Sequence, residues 1–302
     1  MRMMKVWDLI RIAVCGLMTL GVAVPAKAFN PPVCRNAFTQ EQEQIEGQKV
    51  AAQVYQQMPV LKDSDPIAVY VRQLGAKLVQ QAPGYEWPYN FHVVSSGDIN
   101  AFALPGGSIF INLATVQVAE SEAQLAGVMA HEISHVVMRH STCNITKQQK
   151  AGLWYGLAQL GAGVVLGGDS ALGGAAQQAI GMGAGLHFLR MGRDAERQAD
   201  LLGTDILYSA GYDPRGMPQF FEIIQGKYGS GGSQFLSDHP NPGNRTEYVN
   251  AEIAKLPPRQ KNTKTTAEFD RIHFLAAQRK PLTGKEIQAG AWKASGDFQM
   301  KP

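Results

Sequence analysis

Hydrophobic positions along the chain change period several times, and each change marks an element. From Thr39 the apolar residues Ile45, Val50, Ala51 and Val54 recur at roughly helical spacing, and Thr39 with Gln42 fits a capping box. A second helix is predicted after Ser64, with Pro66 in its first turn and Ile67, Val71, Leu74 and Leu78 on one face. The period then shortens. NFHVV (90–94) and SIFIN (108–112) are short and β-rich, and Leu104-Pro105-Gly106-Gly107 between them suits a type II turn. Ser121 with Gln124 predicts another capped helix, running to about His140. Helical patterning resumes from about Asp194 to Ala210, and Asp213-Pro214 reads as an N-cap followed by proline at the first helical position.

Between these helices, residues 151–187 are apolar and rich in small residues, split by Gly167-Gly168-Asp169-Ser170. Neither half is long enough to span a bilayer, so the segment reads as a flexible helical hairpin. Two packed core helices and a mobile lid over a cleft fit it equally, and peripheral contact with a membrane is a further reading of the segment. Gly-rich stretches at 161–174 and 181–185 would let it move. After LPPRQ (256–260) the composition turns polar, with one short helix expected near Glu268 to Ala277 and poor order over the last twenty residues. Elements of both periods with helix dominant predict an α+β fold, mainly helical, with a small sheet.

Composition changes the picture mainly at the N-terminus. Arg2, Lys5 and Arg11 precede an apolar run from Ile12 to Val24 that ends in Ala26-Lys27-Ala28, the order of a secretory signal peptide with an A-x-A cleavage site. Cys15 lies inside the run, not directly after the cleavage site, which argues against a lipid anchor. The organisation expected is therefore a signal peptide at 1–28, one domain at 29–255 and a polar, partly disordered extension at 256–302. The product would be periplasmic or secreted. The whole chain has 28 basic and 25 acidic residues; without the leader's four basic residues and one acid, 24 face 24. Nothing in that balance suggests nucleic acid. Cys34 and Cys143 remain, either as a disulfide or as two thiols.

Candidate chemistry lies in GVMAHEISHVVMRHS (127–141). Helical positions four apart differ by about 40° in angle and about 6 Å along the axis, so His131 and His135 can point at one ion. Glu132 projects beside them, within reach of a water. Uncharged neighbours from Val128 to Val137 imply a buried helix, where two histidines and a glutamate without partners would be costly. The alternative is two histidines near a helix surface. RDAERQADLLG (193–203) places Glu196 and Asp200 four apart. One can complete a metal shell and the other accept a ligand histidine's N–H; alternatively both belong to a solvated face with Arg193 and Arg197. His140, five residues past His135, should lie about 140° around the helix and face away. His92, His187 and His273 read as structural.

NAFALPGG (100–107), HEISH (131–135), ERQAD (196–200) and SDHPNPGNR (237–245) together resemble, in order, the zinc metallopeptidase family of HtpX, the CAAX prenyl endopeptidase and BepA. The resemblance extends over roughly residues 39–278. It implies a zincin-like metallopeptidase whose active-site helix carries HEXXH. One zinc ion per chain would be held by His131, His135 and Glu196, with Glu132 as general base and acid. Asp200 is implied to support a ligand histidine, and His239 to hold the oxyanion or occupy a fourth metal position at rest. Arg245 would support His239 or substrate, and Asn100 would line the cleft. The strand Ala101, Phe102 and Ala103 would bind substrate backbone by strand addition, or be an ordinary hairpin.

The soluble, periplasmic BepA-like branch fits best, although no tetratricopeptide array is recognisable and no spanning helix follows the leader. The function implied is a zinc metalloendopeptidase acting on unfolded or misassembled cell-envelope polypeptides. A zinc-stabilised chaperone or scaffold with little proteolysis is the main alternative, and a hydrolase of a non-peptide bond the lesser one. Oligomeric state is not legible.

Overall fold

The computed structural model describes residues 34–147, 191–229, 234–240 and 244–301. The predicted hairpin at 151–187, the signal peptide and His187 lie outside the described residues.

Helix α1 (Gln40–Gln57) starts at the Thr39–Gln42 capping box, formed in both directions. Strand β1 (Val60–Leu61) follows, and α2 (Pro66–Val79) is capped by Asp65, with Pro66 in the first turn as expected. Strands β2 (Asn90–Val94), β3 (Ala101–Ala103) and β4 (Ser108–Asn112) come next. The turn between β3 and β4 has Pro105 followed by Gly106 at φ 80°, ψ −2°, the type II geometry that favours glycine. A Cβ on Gly106 would also sit 2.7 Å from the Gln44 Cα of α1.

NFHVV and SIFIN are neighbours in the sheet, but they run parallel. The antiparallel partner of β4 is β3, in the register Ala101↔Ile111 to Ala103↔Ile109. The order is β3-β4-β2-β1-β5, which leaves β3 at an edge. Side chains alternate across the sheet. Phe91, Val93, Ala101, Ala103, Ile109 and Ile111 face the main core. Val94, Phe102 and Phe110 face a second cluster closed by Val54 and Tyr55 of α1. His92, on that second side, hydrogen-bonds the Tyr55 hydroxyl at 2.9 Å, and burial pushes its pKa down to about 4. It is structural, as is His273, which bonds the Gln117 carbonyl.

After α3 (Leu113–Val118), helix α4 (Glu122–Val137) crosses the centre and is buried from Glu122 to Val136. Ser121 caps Gln124 N–H, but the Gln124 side chain accepts from Glu120 N–H rather than closing a capping box. Helix α4 stops three residues short of His140. Arg139 takes φ 58° and a new helix, α5, occupies 140–147. Helix α6 (Arg193–Ser209) packs against α4, and so does α7 (Gly216–Tyr228). Their approach leaves no room for side chains at two points. A Cβ on Gly127 would meet Met217 Cα at 2.8 Å, and one on Gly203 would meet the His131 backbone nitrogen at 3.1 Å. Asp213 accepts from Arg215 N–H in a turn, so α7 begins at Gly216, beyond Pro214. Two short helices follow, α8 (Gln234–Asp238) and α9 (Arg245–Ile253).

The C-terminal residues correct the expected boundary and the expected disorder. Helix α10 (Ala267–Ala277) buries Phe269, Ile272 and Ala276 in the main core. Helix α11 (Gly284–Ala289) opens with a Thr283–Glu286 capping box, Trp292 is buried, and β5 (Phe298–Gln299) pairs antiparallel with β1. The polar run at 256–266 conceals an apolar face at positions 269, 272 and 276 that has the helical period.

Cys34 and Cys143 form a disulfide with Cα atoms 6.2 Å apart, joining the segment before α1 to α5. Around it Glu43 accepts from Asn36, Thr142 and the Arg139 guanidinium. The link closes a loop with a sequence separation of 109, for which chain-entropy arguments give several kcal/mol; observed values are typically about 2–4 kcal/mol. Replacing both cysteines with serine is expected to lower the unfolding free energy by that amount, and the urea midpoint with it. A midpoint equal to that of the wild type under non-reducing conditions would show the link contributes nothing.

Candidate metal centre

His131 and His135 lie one helical turn apart on α4, and Glu196 enters from the first turn of α6. His239, at the end of α8, completes a buried group whose ligand atoms all lie within 4.8 Å of one another. His131 Nε2 is 2.9 Å from His135 Nε2, 3.3 Å from His239 Nδ1 and 3.3 Å from Glu196 Oε2. Glu196 Oε1 is 3.2 Å from His239 Nδ1 and 3.5 Å from His135 Nε2.

These separations test the fit to zinc. In a tetrahedron the ligand–ligand edge is about 1.63 times the bond length, so Zn–N and Zn–O bonds near 2.0–2.1 Å require edges of about 3.3–3.4 Å. The observed 2.9–3.5 Å brackets that value. Three imidazole nitrogens and one carboxylate converging on a single point in a buried site suit a cation. The donor set fits one zinc ion.

The surroundings fix each donor. His131 Nδ1 lies 3.0 Å from Asp200 Oδ1, one turn after Glu196. Arg245, at the start of α9, donates Nε and Nη2 to Asp200 at 2.7 Å each and Nη2 to Glu196 at 3.0 Å. Its guanidinium stacks 3.8 Å over the Phe221 ring, and the Tyr248 hydroxyl also donates to Asp200. Burial raises the Asp200 and Glu196 carboxyls, but Arg245 on the first and His239 and His131 on the second outweigh it, so both stay below their ordinary range. Burial lowers His239, yet Glu196 and Glu132 together hold it at about 9.

Glu132 is 1% exposed. Its Oε1 sits 3.4 Å from His239 Nε2 but makes no hydrogen bond, and burial raises its pKa. A raised, unsatisfied carboxylate beside converging metal donors has the character of a general base.

The four residues predicted to bind substrate divide. Asn100 donates to Asp238 beside His239 and accepts from Ala101 N–H. Asn100 and Leu104 pair with Asn112 and Ser108 of β4, so by alternation the N–H and C=O groups of Ala101 and Ala103 point to the free edge. Phe102 points away from the centre and stacks on Phe110 in the second core cluster. The edge is covered in this state, with His239 Nε2 3.3 Å from Ala101 C=O and Phe235 N–H bonded to Ile99 C=O.

His140 overturns its expected position. Its Nδ1 lies 2.9 Å from His135 Nδ1, because the chain turns back at Arg139 instead of continuing α4. A glycine or asparagine signal for that turn is missing from the sequence; the nearest hint is the polar MRHST stretch after an apolar helix.

The chain belongs to peptidase family M48, whose model matches residues 68–253. It is thus a member of a zinc metallopeptidase family. Among named relatives, the beta-barrel assembly-enhancing protease of Escherichia coli K12 is 31% identical over 238 residues, covering 76% of this chain and 48% of that protein. The Yersinia pestis protein of the same name is 28% identical over 267 residues, 86% of this chain and 54% of the relative. The mitochondrial metalloendopeptidase OMA1 of Arabidopsis thaliana is 33% identical over 164 residues, 52% of this chain and 30% of the relative. The chain spans about half the length of the bacterial relatives it matches. No described helix is long and apolar enough to cross a membrane.

Proposed function

We propose that this protein is an exported zinc metalloendopeptidase that hydrolyses peptide bonds in unfolded or misassembled cell-envelope proteins, as part of periplasmic protein quality control. The observation that carries the reading is Glu132, buried beside the metal donors with a carboxylate oxygen left without a hydrogen bond. A purely structural zinc site has no use for such a group. When bound, zinc supplies a Lewis acid that lowers the pKa of water from about 15.7 towards about 7. Glu132 takes a proton from the attacking water and later delivers it to the leaving amine. Ala101 and Ala103 hold the substrate backbone as an added strand. The Cys34–Cys143 disulfide supports an oxidising compartment, as the leader-like N-terminus does. The names of the bacterial relatives support envelope substrates.

In this reading the described state is the resting one, with His239 as the fourth donor lying across the strand that substrate needs. His239→Ala is expected to keep zinc on His131, His135 and Glu196 and to raise casein cleavage several-fold. A variant inactive in every assay with unchanged zinc coordination argues that His239 is needed for the reaction and is not a brake. The occupied fourth position also favours the chaperone or scaffold alternative, in which cleavage is rare. Casein degradation by wild type, chelated wild type and Glu132→Gln protein separates the two, because a zinc-stabilised chaperone degrades little casein in any of the three samples, whereas the peptidase loses its activity with the metal or with Glu132. Trapping proteomics in the native envelope with Glu132→Gln then identifies the substrates, and recovery of only mature, folded proteins would contradict the quality-control role.

A further inference from the structure

His135 reaches the metal donors through Nε2, so its opposite nitrogen must be held by something. On the His131 side that task falls to Asp200. On the His135 side, among the described residues, no carboxylate or carbonyl stands in the same place. The group there is His140, 7% exposed, with Nδ1 2.9 Å from His135 Nδ1 and Nε2 3.1 Å from Gln198 Oε1 on α6. Gln198 sits between Glu196 and Asp200 in sequence, so the helix that brings two acids to the centre also brings this amide.

The hydrogen bonds in this row have one consistent direction. An amide oxygen only accepts, so His140 Nε2 carries its hydrogen and donates to Gln198. His140 Nδ1 then holds a lone pair and accepts from His135 Nδ1–H. That leaves the His135 Nε2 lone pair directed at the other three donors. Turning the Gln198 amide over reverses every bond and places a hydrogen on His135 Nε2, which faces His131 Nε2 at 2.9 Å and Glu196 Oε1 at 3.5 Å. Only the first direction leaves His135 able to bind a cation, and both ends of the row agree on it.

We propose that His140 and Gln198 are positioning residues for the metal centre, fixing the tautomer and ring plane of His135 through an imidazole–imidazole–amide row. The backbone is shaped to present that imidazole. Met138 caps α4, Arg139 adopts its left-handed conformation, and Glu43 and the Phe38 carbonyl hold the Arg139 side chain. A neutral imidazole holds the ligand without adding negative charge near Glu196, whereas Asp200 needs Arg245 to balance it.

The inference rests on His135 being a metal donor, and the test keeps the two apart. Zinc affinity of the full chain is measured by competition with a chromophoric chelator, with the visible spectrum of the cobalt-substituted protein as a second readout. His135→Ala in parallel establishes the donor, and its binding zinc like the wild type would remove the premise. Given that premise, His140→Leu is expected to weaken zinc binding roughly 10- to 100-fold and shift the cobalt bands. His140→Asn, whose side-chain oxygen can replace Nδ1 as acceptor, is expected to restore affinity to within roughly 3-fold of the wild type. Gln198→Leu, at a half-exposed position, is expected to weaken binding in the same direction while leaving the metal-free fold intact. Wild-type affinity in both leucine variants, or His140→Asn as weak as His140→Leu with equal thermal midpoints, would overturn the proposal.

Discussion

Glu132→Gln is expected to bind one zinc ion with wild-type affinity and to cleave casein about a thousandfold more slowly, within the 10²–10⁴ range for a positioned general base. The substitution is nearly isosteric in a site that is 1% exposed, so packing against α6 and α7 should not change. What changes is proton affinity. Burial raises the Glu132 carboxyl above its ordinary value, and an amide cannot take the proton at all. Because His239 Nε2 lies 3.4 Å from Glu132 Oε1, the ratio should be measured in both wild-type and His239→Ala backgrounds. Full proteolysis by the zinc-loaded Glu132→Gln protein in either background would remove Glu132 from the reaction.

Arg245→Met is expected to cost about 3–5 kcal/mol of stability in the metal-free protein, because it strips the positive partner from two fully buried carboxylates. The methionine fills much of the volume over Phe221, so the loss is mainly electrostatic. Asp200 is held below its ordinary 3.8; its contribution is therefore complete above that pH and disappears only as pH falls through the depressed value. Zinc should recover part of the loss, since the cation again balances Glu196. Urea denaturation with and without zinc reads both effects. A loss under about 1 kcal/mol would mean that the carboxylates find other partners or take up protons at little cost.

Much of the centre was legible in the sequence because it follows helical periodicity. His131 and His135 are four apart on a helix whose buried face is evident from its uncharged neighbours; Glu196 and Asp200 are also four apart, but beside Arg193 and Arg197 they read as a solvated face until the family resemblance is added. The elements around them announce themselves by local chemistry, as with Pro66 in the first turn of α2 and the Pro105-Gly106 turn. The misreadings have one physical origin, contacts set by the path of the chain between elements. Helix α4 ends at Val137 without glycine or asparagine, because the Arg139 side chain, held by Glu43 of α1, stabilises a left-handed turn that local propensity disfavours. His140 therefore lands beside His135. Phe102 turns its side chain to the second core cluster, a face fixed only by its pairing opposite Phe110. The C-terminal strand is two residues long and carries no signal apart from its partner.

That partner has a further consequence. Val60↔Gln299 and Leu61↔Phe298 join residues far apart in sequence, so the outermost rung of the sheet can form only after Gln299 has emerged. Until then β1 offers an unpaired edge, the surface through which unfinished sheets aggregate. Such long-range closure also slows folding. A protein proposed to attend to misassembled neighbours thus passes, during its own synthesis, through a state of the kind it would have to recognise.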